Sequence, residues 1–196
     1  MDATEGQNGD TACRRRHFVH AISGRQAGKR HCRNRRHDRL KGRKMKLVLV
    51  RHGQALDERQ DPQRGLSEEG KSQALRTAEW VAGLGLEVGA VFSSPKARAR
   101  QTAEIIAGTL GLEEEILEIT EGLLPGAEPE VFEKQLQRLD RDTVAVGHLP
   151  NLPALVARLC VEPELASEPM PPAGAILLER EEEVVWHMRE TFPPGT

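Results

Sequence analysis

After residue 44 the sequence alternates between short, largely apolar runs and longer segments in which apolar residues recur at helical spacing. Three of the runs, at 46–50, 90–93 and 143–147, are typical of parallel strands that are covered on both faces. A segment with helical periodicity follows each of them. This alternation predicts an α/β fold, a three-layer sandwich in which a mostly parallel central sheet lies between helices.

The first two helices are predicted from their ends and their apolar faces. Ser67 is a suitable N-cap with two glutamates in the following turn, and Gly83 is expected to close that helix. Ser94 is expected to cap the second helix, which Pro95 would begin. The predicted inner faces comprise Ala74, Leu75, Ala78, Val81 and Ala82 in the first helix and Ala99, Ala103, Ile106 and Leu110 in the second.

The remaining elements are shorter. Residues 116–120 predict a weak strand and 122–129 a loop, and a helix follows with its core residues spaced along one face. Another helix is predicted over 152–160. The runs 175–178 and 184–188 favour two strands that form a hairpin at the edge of the sheet. The core residues of the helix after the loop are predicted to be Val131, Phe132, Leu136 and Leu139.

Polar side chains follow three of the predicted strands directly. Arg51 and His52 come after the first, Ser94 and Arg98 after the second, and His148 after the fourth. Ligands of such sheets bind beyond the carboxyl ends of the strands. The sequence therefore predicts a site at which two histidines and two arginines converge from three parts of the chain.

These residue types suit phosphoryl transfer, which needs a nucleophile and positioned cations. The guanidinium groups of Arg51 and Arg98 can bind phosphoryl oxygens and disfavour the imidazolium form of His52, so that its neutral nitrogen can attack phosphorus. His148 is expected to stabilise charge as a cationic or donating partner. His52 would become phosphohistidine, water would then remove the phosphoryl, and neither a metal ion nor another cofactor is expected.

Residues 1–44 differ in composition from the rest of the chain. They carry about nine net positive charges, against about eleven net negative charges for residues 45–196. They show no sustained apolar periodicity, so we expect a disordered basic arm followed by a catalytic domain over 45–196. Our preferred interpretation is a translated upstream extension, because Met45 directly precedes the first strand. Electrostatic attraction to nucleic acid is the alternative role for this arm.

Cysteine usage and hydropathy favour a soluble cytoplasmic protein. Cys13, Cys32 and Cys160 are widely spaced and odd in number, which makes a disulfide framework improbable and a reducing compartment the default. The cysteines and histidines of the arm match no zinc-binding spacing. No run approaches the roughly 18 apolar residues that span a bilayer, so no membrane partner is expected.

Four segments resemble the motifs of the histidine phosphatase superfamily, whose members have the phosphoglycerate mutase-like fold. Arg-His-Gly at 51–53 is similar to its signature, 93–103 to its second motif and 147–150 to its third. Residues 64–70 resemble the segment that opens the family's first helix. The resemblance covers 46 to about 160 and fits the SixA-type phosphohistidine phosphatases best.

This resemblance implies a role for each residue of the predicted site. His52 would be the nucleophile, Arg51 and Arg98 phosphate ligands, and His148 the fourth member of the pocket. Between Thr102 and His148 there is no room for the long insertions that cover the site in mutases and sugar-phosphate phosphatases. An uncovered pocket favours phosphohistidine on a protein partner, such as a histidine-containing phosphotransfer domain. Small phosphoesters remain the alternative substrates, and a noncatalytic phosphate- or nucleic-acid-binding protein is the alternative of another class.

The general acid is left open between two residues. Glu121 lies near the position at which mutase-like relatives place a glutamate, although 121–127 departs from the mutase pattern, and Asp61 lies in the loop after the nucleophile. An alkoxide leaving group needs an acid, whereas imidazole is a much weaker base, with a conjugate-acid pKa of about 6.5. A weak acid or none would therefore favour N–P over C–O–P substrates.

Overall fold

The computed structural model describes residues 44–161, 170–181 and 185–195, which form six β-strands, four α-helices and two short 3-10 turns. Of the predicted arm, only Lys44 falls within these ranges. The strands are β1 (Met45–Arg51), β2 (Val88–Ser93), β3 (Leu117–Ile119), β4 (Asp142–Gly147), β5 (Ala175–Arg180) and β6 (Trp186–Phe192). The helices are α1 (Glu68–Gly83), α2 (Ala97–Thr109), α3 (Pro129–Leu136) and α4 (Asn151–Leu159), and the 3-10 turns are Glu114–Ile116 and Glu121–Leu123.

The strands form one sheet in the order β3-β2-β4-β1-β5-β6. The pairings among β3, β2, β4 and β1 are parallel, while β5 pairs antiparallel with both β1 and β6. The predicted mostly parallel sheet with a C-terminal edge hairpin is confirmed. Because β4 lies between β1 and β2, the loops that leave these three strands meet at one edge of the sheet.

Helices cover both faces of the sheet. Alternate residues of β1 belong to different cores: Leu47 and Leu49 pack with α3 and α4, whereas Val48 and Val50 pack with α1 and α2. This alternation follows from the two-residue repeat of a strand, and it confirms the three-layer sandwich. Within the described ranges, no helix is long and apolar enough to cross a membrane.

The structure corrects the predicted start of the second helix. Ser67 caps α1 as expected, since its side chain accepts a hydrogen bond from the Gly70 amide. Ser94 does not cap α2, which begins at Ala97 after a Lys96 cap that makes no side-chain hydrogen bond. The Ser94 hydroxyl instead lies 2.6 Å from Nε2 of His148, a tertiary contact that a local capping rule does not anticipate.

Other element boundaries and apolar faces also differ from the sequence prediction. The chain turns after α1 at Gly85, with φ of +61°, rather than at Gly83. Leu75 and Val131 are about half exposed, because each lies at the margin of its helix's inner face. Strand β6 runs to Phe192 rather than ending at 188, since it pairs along the whole of β5 and its charged residues are tolerated at an exposed edge.

Two glycines allow the loop after β1 to pack against the start of α1. A Cβ atom on Gly70 would lie 2.0 Å from the carbonyl oxygen of Gln54, and one on Gly53 would lie 2.5 Å from the carbonyl oxygen of Gly70. Both obstacles are backbone atoms, which cannot rotate away as a side chain could. The third residue of the Arg-His-Gly segment is therefore required by this close approach, which fixes the loop that carries His52.

We expect Gly70→Ala to lower the free energy of unfolding by about 1 to 3 kcal/mol, because the new methyl group overpacks against the backbone. Gly83→Ala is the matched control, since nothing lies within 4 Å of a Cβ at this position of the same helix. The control should raise stability by about 0.5 to 1 kcal/mol, through the lower backbone entropy of alanine. Urea unfolding measures both changes, and a neutral Gly70→Ala would contradict the proposed packing.

Candidate active site

Backbone hydrogen bonds join three loops at the carboxyl end of the sheet. The His52 amide donates to the Gly147 carbonyl over 3.1 Å, and the Ser94 amide donates to the Val146 carbonyl over 3.2 Å. Strand β4 thus holds the ends of both neighbouring strands. The ring centroids of His52 and His148 are 4.7 Å apart. The structure brings the two predicted histidines together in space.

Two hydrogen bonds define the protonation of His52. Its Nδ1 lies 2.7 Å from the Gly53 carbonyl oxygen, which can only accept, so Nδ1 carries the proton and donates. Its Nε2 lies 3.2 Å from Nε of Arg98, and a guanidinium can only donate, so Nε2 accepts through its lone pair. His52 is therefore a neutral imidazole with its proton on Nδ1 and its lone pair on Nε2.

The surroundings of His52 favour this neutral form. Burial is the main cause that lowers the pKa of His52, from an ordinary value of 6.5 to about 4. The hydrogen bond to Gly53 opposes this shift, and the positive charges of Arg98 and Arg51 reinforce it. The imidazole is thus unprotonated near neutral pH, as a nucleophile must be.

His148 is buried, with only 2% of its surface exposed. One ring nitrogen, Nε2, contacts the Ser94 hydroxyl, and the other, Nδ1, has no hydrogen-bond partner among the residues that the structure describes. Burial first, and then the neighbouring His52 and Arg98, lower the pKa of His148 to about 3. In the absence of substrate His148 is therefore neutral, and it fits the donating alternative of the sequence analysis better than the cationic one. If Ser94 donates to Nε2, then Nδ1 carries the proton.

The two arginines are half-buried cations on either side of His52. The Nη1 of Arg51 donates to the Met170 carbonyl over 2.7 Å, while its buried Nε has no partner within the described ranges. Burial lowers the pKa of both Arg51 and Arg98, and Arg98 also contacts His52 directly. A buried N–H group without a hydrogen-bond acceptor destabilises the protein. An oxygen atom of a bound anion would supply that acceptor.

Asp61 and Glu121 have different surroundings. Both carboxylate oxygens of Asp61 are occupied, one by the Gln63 amide and the other by the Gly65 amide. These hydrogen bonds lower the pKa of Asp61, so its carboxylate holds a proton poorly at neutral pH. The contacts favour a structural role for Asp61 in its loop, and they argue against its use as a general acid.

Glu121 lies at the start of a 3-10 turn and is exposed. Together with Lys96, Leu124, Pro125 and Val131 it lines a groove of about 620 Å³. The charge of Lys96 contributes to the lowered pKa of His148, so one wall of this groove adjoins the site. Within the described part of the chain, the carboxylate of Glu121 forms neither a hydrogen bond nor an ion pair.

Sequence reasoning missed two contributors to this arrangement. Ser94 was assigned to a helix cap, and only the tertiary fold shows that it faces His148. The Met170 carbonyl, which binds Arg51, carries no signal in the sequence because any residue supplies such a group. No group of three or more His, Cys, Asp or Glu side chains in the described ranges is placed to hold a metal ion.

Residues 47–153 match the model of the histidine phosphatase superfamily, branch 1. The chain belongs to this superfamily. The family match, together with the likeness to SixA that follows, shows that this histidine phosphatase is an enzyme that removes phosphoryl groups. It is 34% identical to the phosphohistidine phosphatase SixA of Escherichia coli over 121 residues, which cover 59% of this chain and 74% of that protein.

Solved structures agree with this assignment. The structure of the protein histidine phosphatase SixA complexed with tungstate has a TM-score of 0.67 and 28% identity, and the match covers 76% of this histidine phosphatase and 97% of that chain. A mycobacterial glucosyl-3-phosphoglycerate phosphatase has a TM-score of 0.57 at 19% identity, covering 74% and 97% of the two chains. The second likeness shows the fold alone.

The two depressed histidine pKa values make stability depend on pH. In the unfolded chain His52 and His148 take up protons as the pH falls below about 6.5, whereas in the fold they resist protonation until about pH 4 and about pH 3. The unfolded state then binds more protons, so stability falls as the pH drops through this window. Urea unfolding should show a smaller loss between pH 6.5 and 4 for His52→Asn than for the wild type. An equal loss in the two proteins would contradict the depressed pKa of His52.

Ser94→Ala should leave the buried Nε2 of His148 without a partner and lower stability by about 1 to 3 kcal/mol. We also expect kcat/KM to fall roughly tenfold, because His148 loses the contact that orients it, an effect of about 1.4 kcal/mol. Ser72→Ala is the control, since its hydroxyl bonds only to the Glu68 carbonyl on the exposed side of α1. Thermal unfolding and aryl phosphate hydrolysis would check both variants. A Ser94→Ala enzyme as active as the control would remove Ser94 from the site.

Proposed function

We propose that the protein removes the phosphoryl group from phosphohistidine on a protein partner, through a covalent intermediate on His52. The observation that carries this proposal is the neutral His52, whose Nε2 lone pair faces Arg98 while Nδ1–H is held by Gly53. The unsatisfied Arg51 Nε and the unpartnered Nδ1 of His148 supply further contacts for phosphoryl oxygens. The arrangement offers a nucleophile and three groups that can bind an anion.

The proposed reaction has two steps. In the first, Nε2 of His52 forms a bond to phosphorus as the bond from phosphorus to the substrate nitrogen breaks. The Gly53 carbonyl stabilises the positive charge that develops on the ring, through the Nδ1 proton. In the second step water attacks phosphorus as the bond from phosphorus to Nε2 breaks, and both protons of the water leave with the product as dihydrogen phosphate. His52 departs as a neutral imidazole because Nδ1 keeps its proton. Arg51 and Arg98 balance the charge on the equatorial oxygens in both steps.

The surroundings of the two acid candidates favour a nitrogen leaving group. Asp61 is held as a carboxylate by two backbone amides, and Glu121 lines the neighbouring groove, whose lining does not include His52. A phosphohistidine whose second ring nitrogen is protonated expels neutral imidazole, and it needs no strong acid. An alkyl phosphate would expel an alkoxide and depends on such an acid.

The short connection between α2 and β4 supports a protein substrate. Between α2 and β4 the chain contains only the two 3-10 turns, β3, α3 and short loops. The relative from Escherichia coli is named a phosphohistidine phosphatase, and a SixA structure binds tungstate, a tetrahedral oxyanion. We take a histidine-containing phosphotransfer domain as the partner, and such a partner would place the enzyme in the cytoplasm.

A small-molecule phosphomonoesterase is the second candidate. The groove beside the site is large enough for a small phosphoester, and Glu121 on its wall has a free carboxylate. If Glu121 protonates an alkoxide, the enzyme hydrolyses sugar phosphates well. In this case Glu121→Gln should impair turnover much more than Asp61→Asn.

The third candidate, a noncatalytic protein that binds nucleic acid through residues 1–44, rests on sequence alone. Salt-sensitive DNA binding that disappears on deletion of residues 1–44, together with no turnover, would favour it. We propose instead that the catalytic domain begins at residue 45 and that the arm is dispensable for turnover.

The covalent step predicts that brief incubation with a labelled phosphohistidine protein transfers acid-labile, base-stable phosphate to the enzyme. His52→Ala should abolish this label, while His187→Ala, on the edge strand β6, should retain it. Acid-labile label on the His52→Ala enzyme would mean that another residue is the nucleophile.

Substrate preference separates the two enzyme hypotheses. We expect the phosphohistidine protein to be hydrolysed about a hundredfold faster than a sugar phosphate, because the contribution of a general acid is of this size or larger. Glu121→Gln should then leave hydrolysis of the phosphohistidine protein within about twofold of the wild type. Equal or reversed rates on the two substrates, with a large effect of Glu121→Gln, would support the phosphomonoesterase instead.

A further inference from the structure

Arg64 lies in the loop between β1 and α1 and has an unusual backbone conformation. Its φ is +52°, in the left-handed region that glycine adopts readily and other residues rarely do. The side chain is exposed. In the sequence, Arg64 belongs to the segment 64–70 that resembles the opening of the family's first helix, and this resemblance implies no role for it. Strained non-glycine residues cluster at functional sites, so the conformation of Arg64 indicates a functional contribution of its side chain.

The loop is pinned at several points. Asp61 binds the amides of Gln63 and Gly65 through its carboxylate, and its carbonyl accepts from the Arg64 amide over 2.8 Å. The Leu66 amide donates to the side chain of Gln101, which lies one turn beyond Arg98 on α2. The backbone at Arg64 is therefore fixed relative to the helix that carries Arg98.

The charge of Arg64 reaches the active site. It contributes to the lowered pKa of His52, and after burial it is the cause of the lowered pKa of Arg98. This effect agrees with the loop geometry, which ties the segment around Arg64 to α2. The guanidinium of Arg64 is thus a third cation close to the phosphate-binding pocket, on the side of Arg98.

Arg64 has no carboxylate partner among the described residues. Within the described part of the chain, its side chain forms one hydrogen bond, a long one of 3.5 Å from Nε to the Leu56 carbonyl. Residues 45–196 contain 26 acidic residues against 15 basic ones, so acidic side chains are abundant in this domain. An exposed guanidinium that has no carboxylate partner among the described residues, beside the proposed anion pocket, is available to a group on the substrate.

We propose that Arg64 is a substrate-binding residue that pairs with a carboxylate on the surface of the protein substrate, next to its phosphohistidine. This inference rests on the proposed function. In the proposed reaction the half-buried Arg51 and Arg98 bind the transferred phosphoryl group. Arg64 is exposed, so its guanidinium can contact the part of the substrate that stays outside the pocket. A charge at the rim of an interface acts mainly on encounter and on its salt dependence.

The backbone conformation separates this role from a purely structural one. If only the shape of the loop mattered, glycine would serve better than arginine at a φ of +52°. Arg64→Gly should therefore fold with an equal or higher Tm and still lose the interaction with the substrate. Arg64→Gln keeps the strain and most of the side-chain length but removes the charge.

The test compares full-length wild type, Arg64→Gly, Arg64→Gln and the control Arg59→Gln, which removes another exposed arginine of the same loop. The substrates are a histidine-containing phosphotransfer domain phosphorylated on its histidine, and N-phosphoimidazole. We expect both Arg64 variants to raise KM for the phosphorylated domain about fivefold with kcat unchanged, and to show a weaker salt dependence. Hydrolysis of N-phosphoimidazole, and both activities of Arg59→Gln, should stay within about twofold of the wild type.

Equal losses on both substrates would overturn the proposal, because Arg64 would then act on the transferred phosphoryl. Unchanged KM values for the phosphorylated domain would overturn it as well, and so would an Arg59→Gln effect as large as that of the Arg64 variants. A wild type that hydrolyses N-phosphoimidazole but not the phosphorylated domain would refute the protein substrate itself. If only the proposal for Arg64 is wrong, the wild type still hydrolyses the phosphorylated domain. The activity of the wild type on that domain therefore separates the two failures.

Discussion

The hydrogen bond from Nδ1 of His52 to the Gly53 carbonyl decides which ring nitrogen can act as a nucleophile. With the proton held on Nδ1, the lone pair lies on Nε2, which accepts a hydrogen bond from Arg98. The same guanidinium can also donate to an oxygen of a phosphoryl group bound beside Nε2. The same proton lets the ring depart as neutral imidazole when water attacks the intermediate. One local contact between neighbouring residues thus serves both halves of the proposed reaction.

The fold supports this contact from two directions. Strand β4 lies between β1 and β2, so that its carbonyls bind the amides of His52 and Ser94 and its own end carries His148. On the other side, Gly53 and Gly70 bring the loop after β1 against the start of α1 at a distance that excludes a Cβ. The histidine is held by backbone atoms on both sides, which are more rigid than side chains. The charge for phosphate binding then comes from Arg51 and Arg98.

Much of this organisation could be predicted because it depends on local patterns. The near-continuous apolar strands indicated a sheet covered on both faces, and the residues after β1, β2 and β4 indicated the edge at which His52, Arg98 and His148 meet. What the sequence did not show depends on contacts and conformations that exist only in the folded chain. The sequence favours Ser94 as a helix cap, whereas in the fold its hydroxyl contacts His148. The sequence also leaves Asp61 as a candidate acid, and only the fold shows that the amides of Gln63 and Gly65 donate to its carboxylate. The left-handed conformation of Arg64 has no signature in a residue that is not glycine.

The protonation state of His52 tests the account most directly. Long-range proton–nitrogen NMR correlation of the histidine rings, in protein without substrate near pH 6, reports which nitrogen carries the proton. We predict a neutral His52 ring protonated on Nδ1 and bare on Nε2, and protonation of that ring only as the pH approaches about 4. An imidazolium at pH 6, or a neutral ring protonated on Nε2, would contradict the central claim.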